Sequence, residues 1–467
     1  MNNRTVMAVA IAAALGTPLH GFAADDPTLA QIRAEIKQMK ESYESRIQAL
    51  EQRLQESETR SAQAQSTPAP AAQTVVAAPP PPSAAKAFNP DVSLILGGSY
   101  ANLSQDPAKY RIQGFIPGGD GIGPGKRSLN LGESELTMSA NIDPQFAGRL
   151  TVAFTPDNQV SVEEAFVTTQ GLSSGINIKG GRFLSSIGYL NSQHAHTWDF
   201  VDAPLVYQAM FGGQYKADGV QLKWLAPTER FIELGLEAGN GTAFPGNDRN
   251  KNGVGSAAVF AHLGDDIGES ASWRTGVSYL QTATANRTYS DLNQTGTEVT
   301  NAFDGKSKLW IVDGVYKWAP EGNATRTNFK LQGEYFWRKE NGSLTYDTQA
   351  QSSLGTSTLP YASAQSGGYV QGVYQFMPMW RAGLRYDRLD SGSPNIGLGG
   401  SGLTAGDFQR LANFRPSRTS VMLDYSPSEF SRLRLQLAQD KARPEATDKQ
   451  IFLQYIMSLG THGAHSF

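Results

Sequence analysis

The sequence contains no cysteine among its 467 residues. This absence excludes disulfide bonds, thiolate metal ligands and cysteine nucleophiles. The chain also lacks a strong excess of charge of either sign, since 40 Lys and Arg stand against 43 Asp and Glu. Domains that bind nucleic acid usually carry a clear basic excess, so we expect no nucleic-acid partner.

Long apolar runs are missing as well. The apolar stretch near the start, Val6 to Leu15, is shorter than the roughly 20 residues that a membrane-spanning helix needs. It follows Arg4 and precedes the small-residue sequence Gly21-Phe22-Ala23, which is the pattern of a secretory signal peptide. We therefore predict a signal peptide over residues 1–24, and any role in a membrane must come from strands.

Two segments without a globular composition follow. Apolar residues between Leu29 and Leu54 recur three and four apart among charged ones, which predicts a coiled coil over residues 25–59. The alternative is a single amphipathic helix that lies on a surface. Residues 60–90 are rich in alanine and proline and are expected to form an extended linker, because this composition cannot bury a core.

From Asp91 onward, apolar and polar residues alternate in short segments between turns, as where Leu433 and Leu435 flank Arg434. Such alternation gives a strand one apolar face and one polar face. A soluble sandwich would also alternate, but it rarely needs so many strands. About sixteen segments can be counted, an even number in the range of single-chain bacterial barrels. We predict an all-β fold, a transmembrane antiparallel β-barrel of about sixteen strands over residues 91–467, preceded by the coiled-coil helix.

The lengths of the connections support the same prediction. Those after even-numbered segments are mostly tight turns, as at Asp143-Pro144 and Met377-Pro378, and those after odd-numbered segments include nearly all the long ones. Short turns at one end and long loops at the other are typical of such barrels. The long connections are predicted at 104–128, 184–213, 240–254, 283–307, 340–366 and 390–417.

The last segment, Gln450 to Phe467, alternates along its length and ends on an aromatic residue. It resembles the final strand of a Gram-negative outer-membrane β-barrel. The resemblance implies that this strand pairs with the first one. It also implies that Phe467 belongs to the signal read by the barrel assembly machinery.

Further motifs resemble one family of such barrels. They are Ser128 to Pro144, Gly181 to Asn191, His194 to Tyr207 and Asp218 to Thr228. They are similar to outer-membrane barrels often labelled zinc-regulated, TonB-dependent receptor-like proteins, and the architecture is similar to phosphate-selective and dicarboxylate-type porins. The resemblance implies a porin in the outer membrane with its N-terminal region in the periplasm. The region before the barrel does not fit the folded plug of a TonB-dependent receptor, whose barrel has about 22 strands.

Charged residues on the polar face of the predicted strands form a candidate pore lining. They carry both signs with a slight basic excess, which predicts a preference for anions because rings of charge select ions by sign. The predicted pore-lining residues are Arg149, Lys179, Lys223, Arg274, Lys330, Arg381, Arg385, Arg432, Arg434, Glu133, Glu135, Glu233, Glu237 and Glu334.

The connection 184–213 is the third outer loop, the one that folds into the barrel in many porins. Its predicted constriction residues are Trp198, Asp199, Asp202 and Tyr207.

The same loop contains His194 and His196, a pair that could bind zinc together with carboxylates, since imidazole and carboxylate are suitable ligands. The alternative is that these polar groups anchor the loop through hydrogen bonds. No cofactor is predicted apart from this possible zinc ion.

The sequence therefore predicts an outer-membrane porin without enzymatic activity, through which small hydrophilic solutes pass by diffusion, with a preference for anionic ones. A homotrimer is favoured because porins are usually trimeric. The expected partners are outer-membrane lipids, the solutes and the barrel assembly machinery. Two alternatives stay open: a zinc-linked uptake or metal-binding protein, and a structural tether that joins the outer membrane to the periplasm.

Overall fold

The computed structural model describes residues 90–118, 122–132, 134–156 and 159–460. The predicted signal peptide, coiled coil and nearly all of the linker lie outside the described residues, as do Glu133 and the C-terminal segment with Phe467. None of the helices in the described ranges is long and apolar enough to cross a membrane.

Sixteen antiparallel strands form one closed sheet, when two short pieces are counted as a single interrupted strand and a two-residue bridge at Asn395–Ile396 is set aside. The closed barrel confirms the predicted fold class. The strands are β1 (Asp91–Leu103), β2 (Ser128–Leu131 continued by Ser134–Asn141), β3 (Phe146–Phe154), β4 (Val160–Thr169), β5 (Ile176–Leu184), β6 (Lys216–Leu225), β7 (Phe231–Gly239), β8 (Ser256–Ile267), β9 (Ala271–Leu292), β10 (Glu298–Trp318), β11 (Asn328–Tyr346), β12 (Ser357–Met377), β13 (Trp380–Asp390), β14 (Ser417–Ser428), β15 (Ser431–Arg443) and β16 (Ala446–Gly460).

The sheet closes where β1 pairs with β16. Their antiparallel register runs from Ser93 opposite Gly460 to Leu103 opposite Gln450. Both pieces of β2 pair with the other side of β1. Each strand thus has two neighbours, which leaves no open edge and satisfies the backbone groups within the sheet. The predicted pairing of the last strand with the first is confirmed.

The apolar side chains of the barrel point outward. Val220, Leu236, Trp310 and Leu384 are each about half exposed on the outer face. The alternate residues point inward and are buried, as Arg434 is between two exposed leucines of β15. The apolar face is therefore outside, where hydrocarbon would contact it, and the polar face is inside, as in a transmembrane barrel.

Four neighbouring strands, β9 to β12, are much longer than the sequence pattern indicated. They have 22, 21, 19 and 21 residues, so most of the loops predicted at 283–307 and 340–366 are strand. The connections are only 293–297 and 347–356. The sequence pattern missed these extensions because their polarity is the reverse of that in the rest of the barrel: polar side chains point outward and apolar ones inward.

The extension of β11 shows this reversal. Ser343 and Thr345 have the outward parity of Trp337, whereas Leu344 and Tyr346 point inward and are fully buried. Ladder pairing with β10 continues through the extension, where Thr345 lies opposite Ala302. A polar outer face suits water, so these extensions belong beyond the hydrocarbon layer, and a search for outward apolar residues does not detect them.

We expect that Leu435→Arg, on the outer face of β15, lowers the free energy of unfolding by about 2–4 kcal/mol, because a cation then faces hydrocarbon. The matched control is Ser343→Arg on the extension of β11, which should cost less than about 0.5 kcal/mol. The measurement is urea unfolding in phospholipid vesicles. Equal losses in the two variants would contradict the assignment of the outer faces.

Candidate functional site

The connection from β5 to β6, residues 185–215, lies against the inside of the barrel; we call it the inner loop. It contains one short helix, α1 (Leu205–Phe211), whose residues are all buried. Gly212 ends the helix in the left-handed conformation with φ +67°, which glycine adopts without strain. The ring of Tyr207 lies edge-on to that of Phe336 on β11, with centroids 5.3 Å apart. A short, mostly apolar and fully buried helix thus packs on the inner wall.

Glu334 of β11 binds the inner loop at two places. Its carboxylate accepts hydrogen bonds from the backbone N–H of Leu190 at 2.9 Å and from that of Tyr189 at 3.2 Å. It also accepts bonds from the hydroxyls of Tyr207 at 2.9 Å and Tyr369 at 2.7 Å. Burial and the adjacent carboxylate raise the pKa of Tyr207 well above its usual range. The predicted lining residue Glu334 therefore anchors the loop.

The predicted constriction residue Asp199 is held by cations of the wall. It pairs with Lys330 at 2.5 Å and with Arg381 at 3.3 Å. Burial disfavours the charged form, but these cations outweigh it and hold the pKa of Asp199 well below its usual range. Arg381 continues the chain of contacts to Asp424 at 2.6 Å, which in turn pairs with Arg434 at 2.7 Å.

Asp202 binds the next arginines along the wall. Its carboxylate lies 2.7 Å from Arg385 and 2.5 Å from Arg418, both of which are 1% exposed. Gln436 donates a further hydrogen bond at 3.1 Å. Burial opposes the charged form, yet the two guanidinium groups lower the pKa of Asp202. The two aspartates thus join the inner loop to β11, β13, β14 and β15.

Beside the inner loop lies a cavity of about 430 Å³. Its lining comes from three parts of the chain: the connection after β1, the inner loop and its junction with β6, and Phe452 of β16. Trp198, Asp202 and Lys216 contribute to this lining. The cavity is therefore bounded by both apolar and charged side chains.

A β-bulge in β4 brings two consecutive glutamates to the inner face. Thr151 of β3 is paired with Glu164 and the next residue with Val162, so Glu163 is the extra residue. A bulge of this kind places two consecutive side chains on one side. Glu163 and Glu164 are both buried, with 4% and 5% exposure. Strict alternation assigns only one of two adjacent residues to the lumen, so sequence reasoning missed both; the available signal was an acidic pair within one strand.

These glutamates meet the histidines of the inner loop. His194 Nδ1 lies 3.2 Å from Glu163 Oε2 and 3.3 Å from Glu135 Oε2, and its Nε2 lies 3.1 Å from Glu164 Oε2. His196 Nδ1 lies 3.2 Å from Glu135 Oε1. We call these five residues the His–Glu cluster. Burial alone would lower the pKa of His194, but its hydrogen bonds with the carboxylates raise it to about 12.

Several other predicted lining residues point inward and have close partners. Lys223 pairs with Glu233 at 3.1 Å, and His262 approaches the same carboxylate at 3.0 Å. Glu237 accepts a bond from the hydroxyl of Ser185 at 2.5 Å, so it holds the start of the inner loop.

The remaining predicted cations have mixed partners. Arg149 lies 4.0 Å from Glu164. Arg274 stacks over the ring of Tyr189 at 5.3 Å, and Lys179 lies 4.3 Å from that of Phe166. Arg432 donates to the backbone carbonyl of His196.

Two buried arginines were absent from the predicted set. Arg338 is 1% exposed and Arg418 is 2% exposed. Arg338 has the same strand parity as Glu334, so the alternation did point to it. Arg418 stands at the start of β14, where the sequence offers too few residues to fix parity.

The fold and the charged interior define the class of the protein. An antiparallel closed barrel with an apolar outer face, a charged inner face and a loop bound to its inner wall is the architecture of porin-type outer-membrane barrels.

A relative in sequence defines the family of the chain more narrowly than the fold does. An uncharacterised protein of Aquifex aeolicus (strain VF5) is 30% identical over 417 residues, which cover 83% of this chain and 81% of that protein. The chain belongs to the same family as this Aquifex protein. No protein-family model matches the chain, so the finer resemblance to zinc-regulated receptor-like proteins gains no support.

Solved structures similar to the chain come from outer-membrane proteins. A loop-deletion mutant of OmpT from Vibrio cholerae has 11% identity and a TM-score of 0.48, with 79% of this chain and 99% of that chain covered. OprB of Pseudomonas putida has 12% identity and a TM-score of 0.47, with 79% and 94% covered. The anion-selective porin from Comamonas acidovorans has 11% identity and a TM-score of 0.44, with 79% and 99% covered.

We expect Gly188→Ala to weaken the attachment of the inner loop. Gly188 has φ +71°, and a Cβ there would collide with the Glu334 carboxylate. Gly402 has φ +74° with no atom within 4 Å of such a Cβ, so Gly402→Ala is a control with the same backbone strain. The steric conflict should cost about 1–3 kcal/mol beyond the control, measured by urea unfolding in vesicles. Equal costs would show that Glu334 is not a tight anchor.

Proposed function

We propose that the chain is an outer-membrane porin that admits small hydrophilic solutes by passive diffusion. The observation that carries the proposal is the charged interior of a closed barrel with an apolar outer face. A cavity of about 430 Å³ beside the inner loop is large enough for a small solute. The proposal includes an outer-membrane location, with the residues before β1 in the periplasm, because β1 begins at the end of the barrel that has the short turns.

In this proposal the inner loop forms the constriction. The loop is tied to the wall by Glu334 near its start and by Asp199 and Asp202 near its middle. The cavity beside the loop would then define the width of the passage. Trp198 and Asp202 are among the loop residues that line this cavity and that a passing solute would contact.

The proposal extends to a weak preference for anions. Arg274 contacts a ring face, and Arg338 and Arg432 donate to neutral oxygen atoms, so no direct ion pair neutralises them among the described residues. Glu237 and Glu334 are likewise bound by neutral hydroxyl and amide groups and not, in the part of the chain that the structure describes, by cations. Their negative charges offset part of the positive charge, so the expected preference for anions is small. A reversal potential in a salt gradient measures it; selectivity for cations would contradict this part of the proposal.

We also propose a homotrimer, for which the heptad pattern of residues 25–59 offers a means of association. One solved relative in fold is described as the trimer form of OmpT from Vibrio cholerae. Single-channel recording of the full chain in a planar bilayer tests channel and assembly together. Conductance steps in groups of three are expected. A folded, inserted protein without any steps would favour the structural tether.

The same recording tests the constriction. Asp202→Ala removes one partner of Arg385 and of Arg418, and we expect a changed single-channel conductance because the inner loop loses one of its ties to the wall. Asp407→Ala is the control, since Asp407 is a buried aspartate that binds Thr404 in the connection 391–416 and not the inner loop. A conductance altered equally by both substitutions, or by neither, would argue against the inner loop as the constriction.

A further inference from the structure

We propose that the His–Glu cluster is a binding site for a divalent transition-metal ion such as Zn²⁺. The ligands would be the imidazole nitrogens of His194 and His196 and the carboxylates of Glu135 and Glu163. Glu164 would orient one of the imidazoles. The site joins the inner loop to β2 and β4, and its existence does not depend on whether the barrel conducts.

The spacing of the donor atoms fits a metal. One ligand atom from each of Glu135, His194 and His196 lies within 4.8 Å of the other two. His194 Nδ1 is 3.3 Å from Glu135 and 3.2 Å from Glu163. In a tetrahedral zinc site with bonds of about 2.0–2.1 Å, neighbouring donor atoms are about 3.4 Å apart. The two contacts of His194 are therefore close to the separation that a bound ion requires, and so is the 3.2 Å between His196 Nδ1 and Glu135 Oε1.

Hydrogen bonds alone do not satisfy this cluster. A single N–H on Nδ1 of His194 faces two carboxylate oxygens at nearly equal distances. Of these, Glu135 Oε2 is buried without a hydrogen-bond partner, in a side chain that is 1% exposed. A buried carboxylate oxygen without a hydrogen bond is costly, and an ion between Glu135, Glu163 and His194 would satisfy it.

A neighbouring carboxylate completes the arrangement. Glu164 Oε2 lies 3.1 Å from Nε2 of His194, on the side of the ring away from Glu135 and Glu163. Glu164 is itself fixed, because its other oxygen accepts the backbone N–H of Leu184 at 3.1 Å. Histidine ligands of zinc usually donate their second ring N–H to such a group, which fixes the tautomer and the ring orientation. The bulge in β4 thus supplies both a ligand and its supporting group.

The chemistry of the donors selects the kind of ion. Two imidazoles with carboxylates suit zinc and similar first-row ions, whereas calcium and magnesium prefer oxygen ligands alone. Three glutamates are opposed by Lys216, 3.5 Å from Glu163, by Arg149, 4.0 Å from Glu164, and by the proton that His194 shares with the carboxylates. A divalent ion would displace that proton when it binds, because a ligating imidazole nitrogen must be deprotonated.

A second buried histidine of the barrel, His262, forms an ordinary ion pair without the further ligands of the His–Glu cluster. His262 pairs with one carboxylate, Glu233, which also binds Lys223. Among the described residues, His262 belongs to no group of three or more histidine and carboxylate ligand atoms that lie within 4.8 Å of one another. His262 is therefore a matched control for loss of a buried histidine inside this barrel.

The experiment uses the full chain in detergent, stripped with a chelator and titrated with Zn²⁺ by calorimetry at neutral pH. We expect one ion per chain. Glu135→Gln and His196→Gln should each weaken binding at least tenfold, and Glu164→Gln should weaken it about ten- to a hundredfold. His262→Gln should bind zinc like the original chain. So should the double variant His462→Gln and His465→Gln, which removes two histidines outside the described residues.

The heat-dependent shift in gel mobility, which reports a folded barrel, is checked for every variant. If a variant does not fold, the original chain is titrated with Co²⁺ instead. The intense visible absorption of four-coordinate cobalt would support the site, and the weak absorption of a six-coordinate ion would contradict it. Absence of stoichiometric zinc binding, or its loss only in the His462 and His465 variant, would overturn the proposal. In the first case the cluster only anchors the inner loop through hydrogen bonds, and the conductance predicted for the barrel is unaffected.

Discussion

The need to pair every backbone N–H and C=O inside the sheet governs this structure. Hydrocarbon offers no hydrogen bonds, so a membrane sheet must close, and the pairing of β1 with β16 achieves this. Closure also fixes which side chains face which medium. Alternate residues such as Leu435 meet lipid, and their neighbours such as Arg434 must point inward. The charged interior follows from closure and from the alternation of side chains.

A barrel of this kind reverses the usual arrangement of a protein core, because its wall supplies charges to the inside. Arg385 and Arg418 are almost fully buried, and a buried charge is stable only when it is paired and hydrogen-bonded. The inner loop meets this requirement with Asp202. It also brings apolar groups, since Tyr207 and Phe211 pack on Phe336 of the wall. Loop and wall therefore stabilise each other.

The sequence allowed the strand count, the closing pair and the inward parity of residues such as Glu334 and Arg381 to be predicted, because period-two alternation is a local property. It did not show the lengths of β9 to β12, where the outward face becomes polar. The bulge at Glu163 was also hidden, since a shift of one residue reverses parity without changing composition. Nor could the sequence assign partners such as Asp202 and Arg418, because they are 216 positions apart and only the fold brings them together.

The unequal strand lengths shape the access to the barrel. β9 has 22 residues and β3 has nine, a difference on the order of 40 Å along the strand at about 3.4 Å per residue. With the short turns level at one end, the opposite rim is oblique. On the high side, the long strands β9 to β12 extend beyond the others and present a polar outer surface to water. On the low side, where the strands are short, the barrel is open laterally. The low side of the rim lies over β3 and β4, and β4 carries Glu163 and Glu164.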